Sequence, residues 1–140
     1  MKVLIIELSN LGDAILTYPA LSALWAAYPG AEFHLLASGR TRELFQGEPR
    51  IHRVWAWESQ APPWIQLALV ARLAGLGFSR VVDFRNSIIP LFIWGARRTP
   101  ILRGPSPDGI HRADLHLRLV ASLGVPPAPA AVRLPFGPQE

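Results

Sequence analysis

Val3-Leu4-Ile5-Ile6 constrains this chain more than any other stretch. The four residues are aliphatic, three of them β-branched, and no polar residue interrupts them. A strand built from them carries apolar side chains on both faces. Only a strand covered from both sides tolerates that, as in the centre of a parallel sheet sandwiched by helices. A polar turn with one glycine follows, Ser9-Asn10-Leu11-Gly12-Asp13, and then Ala14, Ile15, Leu16, Leu21, Leu24 and Trp25 at helical spacing. Strand, short turn and helix open a βαβ unit. In open parallel sheets, ligands sit at the carboxyl ends of the strands beside helix N-termini, so Ser9 to Asp13 is the first candidate for a site.

The same alternation runs through the chain. The first helix is expected over Ala14–Tyr28, with Asp13 as its N-cap and with Pro19 kinking it or starting a second segment. Strands are expected over Ala31–Ala37, Ile51–Trp57 and Arg80–Phe84, with a weak fifth over Arg98–Leu102. Helices are expected over Thr41–Gln46, over Trp64–Leu76 with Ile65, Leu69, Leu73 and Leu76 as its apolar stripe, and over His111–Leu123 with Gly124 just past its end. Ser87–Trp94 reads as a helix or helical turn. The fold class is therefore α/β: a Rossmann-like three-layer domain with a mostly parallel sheet of about five strands, over 1–124. Residues 125–140, rich in proline, read as a tail or interdomain linker.

Composition narrows the function. The chain has 140 residues and no cysteine, so disulfide scaffolds and thiolate metal sites are excluded. His34, His52, His111 and His116 show no metal spacing, and no metal is expected. The net charge is +4, but the arginines are scattered apart from Arg97-Arg98, so a solvated basic surface is preferred and no nucleic-acid partner is expected. The first apolar run is too short for a secretory signal, and no apolar run approaches the ~20 residues a bilayer requires. Ile88–Trp94, IIPLFIW, is either core or a surface that docks on something apolar.

The opening stretch also resembles a known family. Ile5-Ile6, Leu8-Ser9, Leu11-Gly12-Asp13, Ile15, Thr17 and Pro19-Ala20-Leu21 are similar, without a gap, to the N-terminal signature of the heptosyltransferase-like glycosyltransferases of family 9, which have the GT-B fold. Tyr28-Pro29-Gly30-Ala31-Glu32 resembles the family's first helix–strand junction. Val81-Val82-Asp83-Phe84 resembles the strand that ends in a D-hydrophobic-Q-G motif, with Arg85 and Asn86 in place of the usual glutamine and glycine. His111-Arg112-Ala113-Asp114 resembles the start of the last helix of the N-terminal domain.

The resemblance implies an acceptor-side N-terminal half of a glycosyltransferase. Such an enzyme transfers a heptose-like sugar from a nucleotide-sugar, with inversion, to a cell-surface glycan or lipopolysaccharide-type acceptor. It implies Asp13 as the catalytic base, against the plain alternative that Asp13 only caps a helix. Ser9, Asn10 and Gly12 would line the acceptor site, joined by Arg85, Asn86 and Arg40 at the carboxyl ends of later strands, where arginine can grip a carboxylate or phosphate. The donor would bind a C-terminal GT-B domain not contained in these residues, so no cofactor is expected and the chain alone should be inactive. The expected partners are a glycan or glycolipid acceptor and that second domain, a separate partner chain or a second copy. The expected location is the cytoplasm, at most touching the inner face of the membrane. The second reading is a non-catalytic Rossmann-like module that pairs with another chain. Glu7 at the end of the first strand, and the arginine-free loop Glu58–Pro62, argue against a strongly anionic acceptor. Trp55, Trp57, Trp64 and Trp94 can stack on sugars, though packing is their plainer role.

Overall fold

The computed structural model describes residues 1–8, 14–84, 89–93, 95–99 and 112–124, leaving aside the side chains of 40 and 112–115. Strands and helices alternate in the order β1 (Lys2–Glu7), α1 (Tyr18–Ala27), β2 (Glu32–Ser38), α2 (Gly39–Phe45), β3 (Arg53–Trp57), α3 (Pro63–Ala74) and β4 (Arg80–Asp83). A 3-10 turn (Ile89–Phe92), β5 (Arg97–Arg98) and α4 (Arg112–Ala121) complete them. The strands form one parallel sheet in the order β3-β2-β1-β4-β5.

β1 is the centre of that sheet. It pairs with β2 from Lys2↔Glu32 to Glu7↔Ala37 and with β4 from Val3↔Arg80 to Ile6↔Asp83. Val3, Leu4, Ile5 and Ile6 are all 0% exposed. The two-residue period of a strand divides them between two cores. Val3 and Ile5 face α1, α2 and α4, packing with Tyr18, Leu24, Leu35, Phe45 and Val82. Leu4 and Ile6 face α3 and the 3-10 turn, packing with Leu36, Trp55, Leu73 and Ile93. Each fully buried aliphatic side chain contributes roughly 1.5–3 kcal/mol, so this one strand anchors both layers.

The structure departs from the sequence expectations in three places. Residues 14 and 15 are helical, but the chain turns at 16 and 17, and α1 starts at Tyr18 with Pro19 in its first turn. Proline has no N–H and fits a helix start, where none is needed. Thr17 occupies the N-cap position of α1, and its hydroxyl donates to the Ala14 carbonyl at 2.6 Å; Asp13, the expected cap, lies outside the described residues. α3 buries Val70 and Leu73 but leaves Ile65 50% exposed, so Ile65 does not belong to the buried stripe. β5 starts one residue early, at Arg97, and is two residues long; residues 100–102 lie outside the described ones. α4 buries His116 and Val120, with Leu123 just beyond, while Ala121 is exposed. Gly124 follows with φ +85°, a conformation glycine adopts freely after a helix end.

Two leucines separate core from surface. Leu35, 0% exposed on β2 and packed in the core with α1, should lose about 2–5 kcal/mol of stability when changed to alanine. Leu67, 63% exposed, should lose about 0.5 kcal/mol or less. Urea unfolding of the two variants checks this, and equal losses would contradict the layer assignment.

Candidate functional site at the carboxyl edge of the sheet

The strand order places a topological switch point between β1 and β4. From β1 the chain proceeds to β2 and β3 on one side, and then to β4 and β5 on the other. The two strand ends that flank this point are Glu7 and Asp83. In doubly wound sheets such a point opens the crevice that receives ligands. Asp13, Ser9, Asn10 and Gly12 follow β1 in sequence, and Arg85 and Asn86 follow β4; all six lie outside the described residues. Arg40 is the second residue of α2, directly after β2, and its side chain also lies outside them. β1, β2 and β4 thus end at one edge of the sheet, and the segments chosen from sequence follow these three strands in the chain.

The described part of that edge is a tied, buried floor. The Ser38 hydroxyl at the end of β2 donates to the Leu8 carbonyl at 3.2 Å. The Phe84 N–H donates to the Ile6 carbonyl at 3.0 Å. The Asp83 N–H donates to the Thr99 hydroxyl oxygen at 3.1 Å, which ties β4 to the residue after β5. From α4, the His116 ring lies 4.8 Å from the Phe84 ring, and its Nδ1–H donates to the Leu16 carbonyl at 3.3 Å. Glu7, Asp83 and His116 are each less than 5% exposed. Three ionisable side chains beneath one edge are costly to bury and are kept by their partners. Buried to this degree, the three side chains are held within the packing and are not displayed to solvent.

Two readings of the sequence change here. Glu7 lies inside the packing and is not displayed at the strand end, so it presents no bare carboxylate to repel an acceptor. His116 was not singled out from sequence as part of the site. Its signal was available: residues 116, 120 and 123 share one helical face, and His116 stands where an apolar residue is expected. Of the tryptophans, Trp55 is buried, Trp57 is half-buried against the Trp55 core, Trp64 is 71% exposed, and Trp94 lies outside the described residues.

A second polar cluster sits at the opposite, amino edge. Parallel register brings His52, Arg53 and Trp55 beside Glu32 and His34. Glu32, His34 and His52 offer ligand atoms within 4.8 Å of one another, a set that sequence spacing did not reveal. Hydrogen bonding decides against reading it as a metal centre. The Trp55 indole N–H donates to His34 Nδ1 at 3.0 Å, so the His34 proton sits on Nε2 and points at Glu32 Oε2, 2.7 Å away. A ring held in that tautomer has no lone pair to offer a metal from Nε2. A neighbouring groove of about 530 Å³ is lined by Trp25, Tyr28, Arg50 and His52 among others. Its Arg50 is already engaged, paired with Glu48 at 2.8 and 3.0 Å and stacked 3.8 Å over Trp25. This groove lies where the parallel strands begin, so the carboxyl edge remains the better candidate.

The amino-edge cluster sets a pH dependence. Burial pushes the His34 ring below its ordinary 6.5, outweighing the Glu32 carboxylate beside it. The unfolded chain therefore binds more protons than the folded one once pH falls below 6.5, and stability drops with pH there. Hydrogen bonding from Arg50 holds Glu48 below its ordinary 4.5, which adds a further loss at still lower pH. Thermal melts between pH 6.5 and 4.5 should show a falling midpoint that His34→Gln flattens. A wild-type midpoint independent of pH would contradict the assignment.

No protein-family model matches the chain, and no curated protein sequence does. Solved structures do. A glycosyl transferase family 9 protein from Veillonella parvula aligns with 98% of the chain and 45% of its own length, at TM-score 0.78 and 17% identity. The heptosyltransferase WaaC from E. coli, solved with ADP, aligns with 97% of the chain and 51% of its own, at TM-score 0.69 and 19% identity. An E. coli ADP-heptose lps heptosyltransferase II aligns over 71% of the chain and 30% of its own, at TM-score 0.59 and 26% identity. The chain spans about half the length of the first two, and its five-stranded parallel α/β fold is the fold of about half of such a GT-B glycosyltransferase.

Proposed function

We propose that this chain is the acceptor-side half of a heptosyltransferase-like glycosyltransferase of family 9. One observation carries the reading. The segment with the family-like motif, Leu11-Gly12-Asp13, follows the central strand at the β1/β4 switch point of a fold shared with about half of WaaC. In this reading the acceptor lies over the carboxyl edge. Asp13 takes the proton from its hydroxyl as that oxygen attacks the anomeric carbon of a nucleotide-sugar. The carbon–oxygen bond to the nucleotide breaks, the nucleotide leaves with the electron pair, and the configuration inverts. Ser9, Asn10 and Gly12 frame the acceptor, and Arg85, Asn86 and Arg40 supply polar and cationic contacts to it. The donor is a heptose-like nucleotide-sugar, bound by a second GT-B domain, and the acceptor is a cell-envelope glycan. A nucleotide-sugar donor places the reaction in the cytoplasm. Among the described residues no helix is long and apolar enough to cross a membrane.

The second reading is a non-catalytic Rossmann-like module that pairs with another chain. Asp13→Asn separates the two. In the complete two-domain enzyme it should lower kcat by about 10²- to 10⁴-fold, the usual worth of a general base, with acceptor binding retained. Full transfer by Asp13→Asn would refute the catalytic reading and leave the binding module.

A further inference from the structure

The amino-edge groove is lined by aromatic rings and holds an unmet hydrogen-bond donor. Trp25, Tyr28 and Phe33 line it, with Pro29 and Pro49, and its volume is about 530 Å³. Trp25 is 8% exposed, and its indole N–H is buried with no hydrogen-bond partner among the described residues. The hydroxyl of Tyr18, whose ring lies 6.3 Å from that of Trp25, is in the same condition. A buried donor without an acceptor costs about 1–3 kcal/mol, so an acceptor has to come from outside those residues. Aromatic-lined grooves take proline-rich segments in the polyproline II conformation. Each proline offers a carbonyl and no N–H, so such a segment brings acceptors without adding as many donors.

This chain carries such a segment. Residues 125–140 hold five prolines and lie outside the described residues. They follow α4, and α4 packs on α1, which supplies Trp25 near its end and Tyr28 as its C-cap. His116 fixes the early part of α4 at the carboxyl edge, against Leu16 and Phe84. Val120 and Leu123 are buried farther along, in the core that contains Trp25. α4 thus leads away from the carboxyl edge, toward the end of α1 that borders the groove. In polyproline II geometry residues 125–140 can span on the order of 50 Å, against a radius of gyration of about 14 Å for a domain of this size, so they can reach it. Charge agrees. Arg133 is the segment's one cation, and Glu32, its side chain 34% exposed, is a carboxylate that lines the groove, where Arg50 is already neutralised by Glu48. We propose that residues 125–140 dock in the amino-edge groove, with proline rings against Tyr28, a carbonyl accepting the Trp25 indole N–H, and Arg133 beside Glu32. The docked segment fills this groove and leaves the carboxyl edge as the open one. The inference goes beyond the transferase reading and does not rest on it.

A spin label on the whole chain tests it. The chain has no cysteine, so Ala131→Cys gives a single site for a nitroxide. In the isotope-labelled chain the amides of Gly30, Phe33 and His52 should lose most of their NMR intensity and regain it when ascorbate reduces the nitroxide. Leu8, Ser38 and Phe84 at the carboxyl edge should keep theirs. Pro126→Gly, Pro127→Gly and Pro129→Gly together, which alter no described residue, should restore the lost intensity. They should also speed hydrogen exchange of the Trp25 indole proton about tenfold, the worth of one hydrogen bond. Tyr28→Ala, on the groove side, should restore the intensity as well. Unchanged intensity at the amino edge overturns the inference, and so does a loss centred on the carboxyl edge. The same loss in the glycine variant, or an indole proton that exchanges no faster there, also overturns it. So does a loss seen when nitroxide and isotope sit on different chains, since a second copy then fills the groove.

Discussion

The fold depends on the burial of β1 from both sides. Val3, Leu4, Ile5 and Ile6 lose contact with water completely, which requires a helical layer on each face and a neighbour strand on each edge. Once those four positions are covered, the doubly wound topology and the switch point between β1 and β4 follow, because a parallel neighbour needs a crossover on one face. The edge at which β1 and β4 end is then the place where two chain segments can face a ligand while the sheet holds them still.

The two edges of the sheet are built differently. At the carboxyl edge, Glu7, Asp83 and His116 are buried under hydrogen bonds that link β1, β2, β4 and α4 to their surroundings. At the amino edge, Trp55, His34 and Glu32 form a chain of hydrogen bonds in which each donor already has its acceptor. The first arrangement ties the ends of the central strands together. The second closes on itself and acts as a brace between β2 and β3. The groove beside it is larger than a single side chain, and its Arg50 is already paired with Glu48.

The layers were legible in the sequence because aliphatic runs and turn residues report local burial. Lys2 to Ile6, Ala31 to Ala37 and Arg80 to Phe84 each gave a strand within a residue or two. Pro19 left two outcomes open, and the turn at Leu16-Thr17 selects the second segment. What the sequence could not show depends on register and packing between distant elements. His34 and His52 meet only because β2 and β3 are parallel neighbours, and His116 reaches Leu16 only because α4 packs on α1. The apolar face of α3 was misread for the opposite reason. Its hydrophobic residues run nearly all the way round, so periodicity alone does not say which side is buried, and Ile65 was placed inward when it faces out. The residues named for chemistry, Asp13 above all, rest on motif and on their place after the strands that flank the switch point.

The account stands or falls on which edge of the sheet receives the acceptor. An amide NMR titration of the isotope-labelled chain with a deacylated lipopolysaccharide core oligosaccharide decides this directly. The account predicts shifts at the carboxyl edge, in Leu8, Ser38, Phe84 and the segments that follow β1 and β4 in sequence. Shifts confined to Trp25, Tyr28, Arg50 and His52 would place the ligand in the amino-edge groove and contradict it.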